Sequence, residues 1–263
     1  MNTLLKFITC GSVDDGKSTL IGRMLYDAKL IFKEQEEALI VDSKLGSAGD
    51  EIDYALLLDG LMAEREQGIT IDVAYRYFST DKRSFIVADT PGHEEYTRNM
   101  AVGASGCDLA IILIDATKGI LRQTKRHTRI CNLMGIRNFV FAINKMDLVA
   151  YNQEIFDTIK NEIYERIKIF NYDSIFIIPV SASKGDNITK PSNNMLWYSD
   201  KTLLQYLEEV AIITDNVEKS FLMTVQRVSR PDHTFRGFQG QVIQGSATIG
   251  DTIYITKRRR SKY

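Results

Sequence analysis

Five short runs of apolar, β-branched and aromatic residues recur along the first two thirds of the chain. Runs this continuously apolar are typical of strands that are buried on both faces, as in a parallel sheet. Segments with helical periodicity separate them, and this alternation predicts an α/β fold with a mostly parallel, doubly wound sheet. The predicted strands are Leu4–Cys10, Ser84–Ala88, Leu109–Ile114, Phe139–Ile143 and Ile175–Val180, and the predicted helices are Thr19–Leu30, Glu94–Gly103, Arg122–Leu133 and Asn152–Ile169.

Between residues 30 and 68 the pattern departs from this plan. Phe32–Asp42 and Tyr54–Glu66 have the periodicity of amphipathic helices, and the Gly/Ser-rich link Gly46–Gly49 joins them. These helices are not needed for a crossover, and the pattern fits either a mobile insertion near a ligand or a packed structural insertion. After them, Ile71–Ser79 alternates between apolar and polar residues and is predicted to form a hairpin with Ser84–Ala88.

The pattern of predicted elements changes near residue 214, from alternating strands and helices to strands alone. A last helix, Lys201–Ile213, closes a first domain, and the polar stretch Thr214–Lys219 is predicted to be a linker. Three strands without intervening helices follow, at Phe221–Val228, Phe235–Gln244 and Thr252–Thr256. Residues 1–214 are thus expected to form an α/β domain, and residues 219–263 the truncated start of an antiparallel β-barrel, since about 45 residues are too few to close one. The basic run Lys257–Lys262 is interpreted as a solvated hairpin tip rather than a nucleic-acid patch.

Composition narrows the class of protein. The 263 residues are 44% hydrophobic and 25% charged, a balance typical of globular proteins, and the length leaves room for two domains. The net charge of −1 creates no overall attraction to nucleic acid or an anionic membrane. The widely spaced Cys10, Cys107 and Cys131 favour a reducing compartment over a disulfide framework or a zinc site. With no cleavable leader and no apolar run long enough to span a bilayer, the expected location is the cytoplasm.

The candidate chemistry begins between the first strand and the first helix. Here a glycine, four residues and Gly-Lys-Ser match the phosphate-binding loop pattern. Glycines let the backbone N–H groups point at a phosphate, and the helix N-terminus adds partial positive charge. Lys17 is expected to reach the outer phosphates and the Ser18 hydroxyl to ligate Mg²⁺. The candidate nucleotide contacts in this loop are Gly11, Ser12, Val13, Asp14, Asp15, Gly16, Lys17, Ser18 and Thr19.

A second group follows the strand Ser84–Ala88, in the order Asp89-Thr90-Pro91-Gly92-His93. An aspartate at this strand end is suited to hold a water of the Mg²⁺ shell. Gly92 is expected to place its N–H against a γ-phosphate, a contact that exists only with a triphosphate and therefore acts as a switch. His93 is expected to orient the attacking water, so the catalytic candidates are His93, Lys17 and Gly92.

Thr70 is the candidate for a first switch. It lies in Gln67-Gly68-Ile69-Thr70-Ile71, between the insertion and the next predicted strand. Its hydroxyl is expected to complete the Mg²⁺ shell while its N–H touches the γ-phosphate. The candidate metal ligands are therefore Ser18, Thr70 and, through a water, Asp89.

Two further motifs indicate the base. Asn144-Lys145-Met146-Asp147 ends the strand Phe139–Ile143, and Ser181-Ala182-Ser183 ends the strand Ile175–Val180. A carboxylate such as that of Asp147 accepts the N1–H and 2-amino hydrogens of guanine, and adenine lacks this donor pair. Lys145 is expected over the base plane, Asn144 as a brace between loops, and the Ala182 N–H on guanine O6. All these motifs occur in order and at strand ends, where open α/β sheets bind ligands, and together they predict a Mg²⁺–GTP site.

With these motifs the chain resembles the translation-factor-type GTPases. Glu64–Ala74 and Asp89–His93 are very similar to elongation factors that deliver aminoacyl-tRNA. Other segments resemble more closely the GTPase subunit, subunit 1, of heteromeric sulfate adenylyltransferase. These are Cys10–Arg23, which has Ser12 where elongation factors usually have His, Ile71–Thr80, Tyr96–Ala101 and Val228–Pro231 with Phe235–Phe238, whereas Asp232–Thr234 differs from that family.

The resemblance implies a specific activity. Subunit 1 hydrolyses GTP in complex with a catalytic, ATP-binding subunit 2, which transfers AMP from ATP to sulfate in sulfate assimilation and cysteine biosynthesis. The products are adenosine 5′-phosphosulfate and pyrophosphate, and GTP hydrolysis helps to drive this uphill reaction. In this picture the chain belongs to a nucleotidyltransferase but adenylates no sulfate itself. ATP and sulfate act at the partner, and no nucleic-acid or membrane partner is expected.

The resemblance also makes Asp14 a candidate ligand for a monovalent cation such as K⁺ near the phosphates. An alternative role for Asp14 is to stabilise the turn through its own backbone. Two other functions stay open. One is an elongation factor that delivers aminoacyl-tRNA, which GTP-dependent tRNA binding would reveal. The other is a GTP-switched binding module whose hydrolysis is too slow to matter. Unchanged partner-stimulated GTP hydrolysis by a His93→Ala variant would favour this function.

Overall fold

The computed structural model describes residues 3–28, 54, 70–212 and 220–255. The chain divides into two compact units, Met1–Ile212 and Ile213–Tyr263. The predicted helices Phe32–Asp42 and Tyr54–Glu66, their Gly/Ser link, the linker Thr214–Lys219 and the basic run lie outside the described residues, apart from Tyr54. Within the described residues, no helix has both the length and the apolarity needed to cross a membrane.

The first unit is built on a six-stranded sheet in the order β2-β3-β1-β4-β5-β6. Every neighbouring pair is parallel except β2 with β3, which form the predicted antiparallel hairpin. Strands β4 and β5 are buried along their whole length, which explains their unbroken apolar sequences. The strands are β1 (Thr3–Cys10), β2 (Ala74–Ser79), β3 (Arg83–Asp89), β4 (Leu109–Asp115), β5 (Asn138–Asn144) and β6 (Ser174–Pro179).

Five described helices cover both faces of this sheet. Residues of α1 and α5 pack in one apolar cluster, and residues of α2, α3 and α4 pack in a second cluster on the opposite face. Alternate residues of β1 divide between the two, with Phe7 in the first and Ile8 in the second. The prediction of a doubly wound α/β fold is therefore confirmed. The helices are α1 (Lys17–Asp27), α2 (Thr97–Ala104), α3 (Arg122–Leu133), α4 (Gln153–Ile167) and α5 (Leu203–Glu209).

Some predicted boundaries were wrong for local reasons. The helix predicted to begin at Glu94 starts instead as a 3₁₀ turn, Glu94–Tyr96, because the Tyr96 N–H donates to the His93 carbonyl. The helix predicted from Lys201 begins at Leu203, where Thr202 and Gln205 form a capping box.

The second unit contains an antiparallel pair, β7 (Leu222–Ser229) and β8 (Gly237–Gln244). A second, antiparallel sheet thus begins where helices cease, as predicted. The strand predicted at Thr252–Thr256 is not present in its described part, residues 252–255. A strand is defined by ladder hydrogen bonds, and these residues pair with no other described strand.

Candidate functional site

The predicted phosphate loop connects β1 to α1 at the carboxyl edge of the sheet. Gly16, directly before α1, has a φ of 86°, a left-handed conformation that glycine adopts without steric cost. The Asp15 carboxylate is buried, and its Oδ2 accepts a hydrogen bond of 2.5 Å from the Ser12 N–H. Burial raises the pKa of Asp15. The loop is therefore folded around one of its own side chains.

Lys17 lies inside the phosphate loop and bonds to its backbone. Its side chain is buried, and Nζ donates to the Ser12 carbonyl oxygen at 2.7 Å. Burial lowers the pKa of Lys17, and the neighbouring carboxylates of Asp89 and Asp15 oppose this effect. A largely desolvated ammonium in a loop of backbone N–H groups is well suited to bind an anion such as a phosphate.

Three oxygen-bearing side chains from separate segments meet beside this loop. Ser18 Oγ donates to Asp89 Oδ2 at 2.8 Å and lies 3.4 Å from Thr70 Oγ1. Asp89 is buried at the end of β3, and its Oδ1 accepts from Thr9 Oγ1 and from the Thr90 N–H. Burial raises the pKa of Asp89.

This donor set fits Mg²⁺. Hydroxyl and carboxylate oxygens are the ligands that Mg²⁺ prefers, and it commonly takes only one or two protein ligands beside substrate phosphates and waters. Among the described residues no cluster of three or more His, Cys, Asp or Glu side chains could hold a metal on its own. The metal would therefore be held jointly by these hydroxyls and the phosphates.

Gly92 approaches the loop more closely than any side chain would allow. A Cβ at this position would lie 2.5 Å from Lys17 Nζ and 2.7 Å from the Ser12 carbonyl carbon and oxygen. The preceding Thr90 is anchored, since its Oγ1 donates to the Thr9 carbonyl at 2.6 Å. The segment after β3 thus lies against the mouth of the phosphate loop, and Pro91 is buried with it.

His93 is exposed at the start of the 3₁₀ turn. Its Nδ1 accepts from the Glu95 N–H at 3.4 Å, and its ring centroid lies 5.9 Å from that of Tyr96. With Nδ1 as an acceptor, the hydrogen-bond pattern assigns the ring proton to Nε2. The structure therefore places His93 beside the candidate phosphate site rather than buried within it, and its Nε2–H donates to no described residue.

Asn144 braces the loops on the base side of the site. At the end of β5 it is buried, its Nδ2 donates to the Asp15 carbonyl at 2.8 Å, and its Oδ1 accepts from the Ala182 N–H at 2.9 Å. The predicted contact of the Ala182 N–H with guanine O6 would thus share this donor with Asn144. Met146 is buried in the second apolar cluster and supports the same turn.

A contact that the sequence interpretation missed holds Lys145. Its backbone has a left-handed φ of 63°, and its Nζ pairs with Asp115 Oδ2 at 2.8 Å. Asp115 is buried at the end of β4 and also accepts from the Thr117 N–H and hydroxyl. Burial raises the pKa of Asp115, but these hydrogen bonds outweigh it and the net shift is downward. Its position at a strand end is the signal that could have identified it.

Asp147 lies at the other side of this turn. Its Oδ1 accepts a hydrogen bond of 2.6 Å from Ser181 Oγ, and Ser181 is buried after β6. The carboxylate is thereby oriented by the second base motif.

The remaining loop residues line the surface of the site. Asp14 is exposed with a left-handed φ of 65°, and Val13 and Thr19 are partly buried.

His127 is a second residue without a recognisable sequence signal. It is fully buried on α3, and its Nδ1 accepts from the Gly11 N–H at 3.3 Å. Its Nε2 has no hydrogen-bond partner among the described residues. Burial lowers the pKa of His127 to about 4, and the charges of Lys17 and Arg126 act in the same direction. A neutral imidazole therefore supports the first glycine of the loop.

His127 makes stability depend on pH. The folded-state pKa of about 4 lies below the value of about 6.5 in an unfolded chain, so this contribution is complete above pH 6.5 and is lost as the pH falls toward 4. The loss amounts to about 3 kcal/mol. Between pH 7 and pH 4.5, His127→Gln should lose about 2–3 kcal/mol less unfolding free energy than the unmodified chain, as measured by urea denaturation. His233→Gln, at an exposed histidine, is the control, and equal pH slopes for all three proteins would contradict the assignment.

Taken together, the carboxyl edge of the sheet presents an anion-binding loop, a buried cation, a set of Mg²⁺-type oxygens and an oriented carboxylate for a base. Such an arrangement is chemically suited to hold a nucleoside triphosphate and to align in-line attack on its terminal phosphate.

Comparison with known proteins identifies the family of this chain. The family model described as "Elongation factor Tu GTP binding domain" matches residues 2–227. The chain is 57% identical over 253 residues to sulfate adenylyltransferase subunit 1 of Francisella tularensis subsp. novicida, covering 96% of this chain and 54% of that protein. It is 56% identical over 260 residues to the bifunctional enzyme NodQ of a Rhizobium species, covering 98% of this chain and 40% of that protein. The chain thus spans about half the length of the curated relatives it matches.

A solved structure shares the fold. The GTPase-like domain of Ski7 from S. cerevisiae, bound to GDP and inorganic phosphate, superposes with a TM-score of 0.68 at 19% identity, covering 93% of this chain and 59% of that one. At that identity the similarity concerns the fold alone. The family match, in contrast, extends over most of the sequence and includes every segment of the candidate site, so the chain belongs to the family of elongation factor Tu GTP-binding domains.

Proposed function

We propose that this chain binds Mg²⁺–GTP, hydrolyses it, and forms part of the GTPase subunit of a heteromeric sulfate adenylyltransferase. One observation carries the proposal: 57% identity over 96% of the chain to proteins named subunit 1 of that enzyme. The assembled enzyme would couple GTP hydrolysis by this subunit to the synthesis of adenosine 5′-phosphosulfate.

The phosphate side of the site would perform the hydrolysis. The loop from Gly11 to Thr19 would surround the phosphates, and Lys17 would exchange its bond to the Ser12 carbonyl for the outer phosphates. Ser18 and Thr70 would ligate Mg²⁺ directly, and Asp89 would do so through a water. When bound, Mg²⁺ neutralises charge on the phosphate oxygens.

Gly92 and His93 would respond to the γ-phosphate. The Gly92 N–H would contact it, because no side chain stands between this backbone and the loop. His93 would then turn its Nε2–H toward the attacking water, since its Nδ1 is occupied by the Glu95 N–H. The exposure of His93 suits a group that acts only after the triphosphate orders the segment.

The base side would select guanine. Asp147, oriented by Ser181, would accept the N1–H and 2-amino hydrogens, and Lys145, held by Asp115, would lie over the ring. Asn144 would fix the position of the phosphate loop relative to the Ser181–Ser183 loop, because it bonds to the Asp15 carbonyl and to the Ala182 N–H. Met146 would support the turn, and Ala182 would share its N–H with guanine O6.

The chemistry of sulfate belongs to the partner. No described cluster here suggests a sulfate-adenylating centre, and a catalytic ATP-binding subunit would transfer AMP from ATP to sulfate. The assembly would work in the cytoplasm.

Two further proposals concern the chain itself. Asp14 would hold a K⁺ near the phosphates. Residues 1–214 would be the GTP-binding domain and residues 219–263 part of a β-barrel domain, which the antiparallel β7–β8 pair supports.

The test follows GTP hydrolysis by the full-length subunit with its catalytic partner. Partner, ATP and sulfate together should raise the rate at least about tenfold over any combination that lacks one of them, because coupling requires chemistry at both sites. Reactions that lack the partner, ATP or sulfate, one at a time, provide the baseline. A rate that is the same under every combination would refute the assignment to sulfate activation, and ribosomes with aminoacyl-tRNA would be the next addition.

A further inference from the structure

A groove that the nucleotide site does not use lies between α3 and α4. Its volume is about 620 Å³. Its floor is apolar and is formed by the sheet and the inner face of α4, with Ile114, Phe141, Ile163 and Ile167 buried there. Ile169 continues this apolar surface and is 75% exposed.

The walls of the groove are basic. Arg122, Lys125, Arg126 and Arg129 recur at i, i+3, i+4 and i+7 and so follow one face of α3, while Arg166 lines the groove from α4. Arg126 pairs with Glu94 at 2.7 Å and Arg166 with Glu162 at 2.6 Å.

Most of the basic side chains that line the groove form no ion pair in the described part of the chain. Arg122, Lys125 and Arg129 form no ion pair with any residue in the described ranges. The acidic side chain in the lining, Glu165, is itself paired with Lys168 at 2.6 Å. In addition, the buried Thr124 Oγ1 in the lining has no hydrogen-bond partner within the described part of the chain.

We propose that this groove is the docking surface for the catalytic subunit, and that it takes an acidic segment with apolar side chains. The inference rests on the proposed function, which supplies the partner. Charge complementarity identifies the chemistry, since the groove combines an apolar floor with three basic side chains that form no ion pair in the described part of the chain, and such a surface selects carboxylates that flank apolar anchors. Laying an amphipathic segment between two helices is a recurring mode of recognition.

The position of the groove connects docking to the nucleotide. Glu94 immediately follows His93 and begins the 3₁₀ turn, and its partner Arg126 belongs to the groove wall. A carboxylate of the docked segment competes with Glu94 for Arg126 and so releases the turn that carries His93. The inner face of the same helix contacts the phosphate loop through His127 and Gly11. Docking thereby acts on the turn that carries His93 and on the start of the phosphate loop at Gly11.

The test uses the full-length subunit, its catalytic partner and two charge-reversal variants with equal change in net charge. Arg122→Glu/Arg129→Glu alters the groove, and Arg137→Glu/Lys190→Glu alters exposed cations outside it. At low salt the groove variant should raise the dissociation constant for the partner at least about tenfold, with the control within about twofold. The difference should shrink as salt increases.

Intrinsic GTP binding and partner-free hydrolysis are measured on all three proteins and should agree within about twofold, because neither pair of side chains belongs to the nucleotide site. Equal partner affinity for the groove and control variants overturns the docking proposal while the proposed function stands. Failure of the unmodified subunit to bind the catalytic subunit at all overturns both.

A third variant tests the competition for Arg126. Glu94→Gln removes the competing carboxylate and should tighten association about threefold. Unchanged or weaker association would contradict the link between the groove and the turn.

Discussion

Replacing Gly92 with alanine is expected to lower the rate of GTP hydrolysis about 10²–10³-fold, as for the loss of one backbone donor to a transition-state oxygen. The added Cβ would lie 2.5 Å from Lys17 Nζ and 2.7 Å from the Ser12 carbonyl. The Ser12 backbone, unlike the end of a flexible side chain, cannot shift without distorting the phosphate loop. The segment must therefore retreat from the loop, and its N–H no longer reaches the γ-phosphate. Single-turnover hydrolysis with saturating GTP measures the chemical step separately from binding.

GDP binding provides an internal comparison for this variant. The Gly92 contact exists only with a triphosphate, so the affinity for GDP should change much less than the rate. Gly106→Ala is the matched control, because a Cβ at Gly106 meets no atom within 4 Å. A Gly92→Ala protein that hydrolyses GTP at the rate of the Gly106→Ala protein would refute the close approach as the switch.

Changing Asp147 to asparagine is expected to weaken GTP binding about 10²–10⁴-fold. Two hydrogen bonds to a charged acceptor are lost or reversed, each worth about 1.5–3 kcal/mol. Xanthosine triphosphate carries a carbonyl at C2 in place of the amino group, and an asparagine amide can donate to it. The variant should therefore bind xanthosine triphosphate more tightly than GTP, which equilibrium titration with both nucleotides measures.

Asp173→Asn is the control for this exchange, since Asp173 is an exposed carboxylate away from the strand-end motifs. It should keep the unmodified preference for GTP. If Asp147→Asn also keeps that preference, guanine is recognised elsewhere and the role of the second base motif has to be reconsidered.

Much of the fold was predictable because the sheet is buried on both faces. Continuous apolar runs located β4 and β5 to within one residue at either end, and α3 was placed at Arg122–Leu133. Helix starts were less accurate where local hydrogen bonds decide them, as at His93, whose carbonyl closes a 3₁₀ turn. The last predicted strand failed because pairing partners, unlike periodicity, are not visible in a single segment.

The candidate site was predictable where function requires a fixed spacing along the chain. The phosphate loop and the turn after β5 are contiguous motifs, and the structure brings their residues together. Asp115 and His127 escaped notice because each acts across the sheet edge on a residue more than twenty positions away. The Arg126–Glu94 pair was equally hidden, since it depends on the packing of α3 beside the 3₁₀ turn.

The most direct measurement is the amount of adenosine 5′-phosphosulfate formed by the two full-length subunits from ATP and sulfate, with pyrophosphate present, with and without GTP. Energetic coupling predicts that GTP raises the product above its equilibrium level with ATP and sulfate alone. A non-hydrolysable GTP analogue or the Gly92→Ala subunit should leave it at that level. The same product level with and without GTP would contradict the account, since hydrolysis at this site would then drive no sulfate activation.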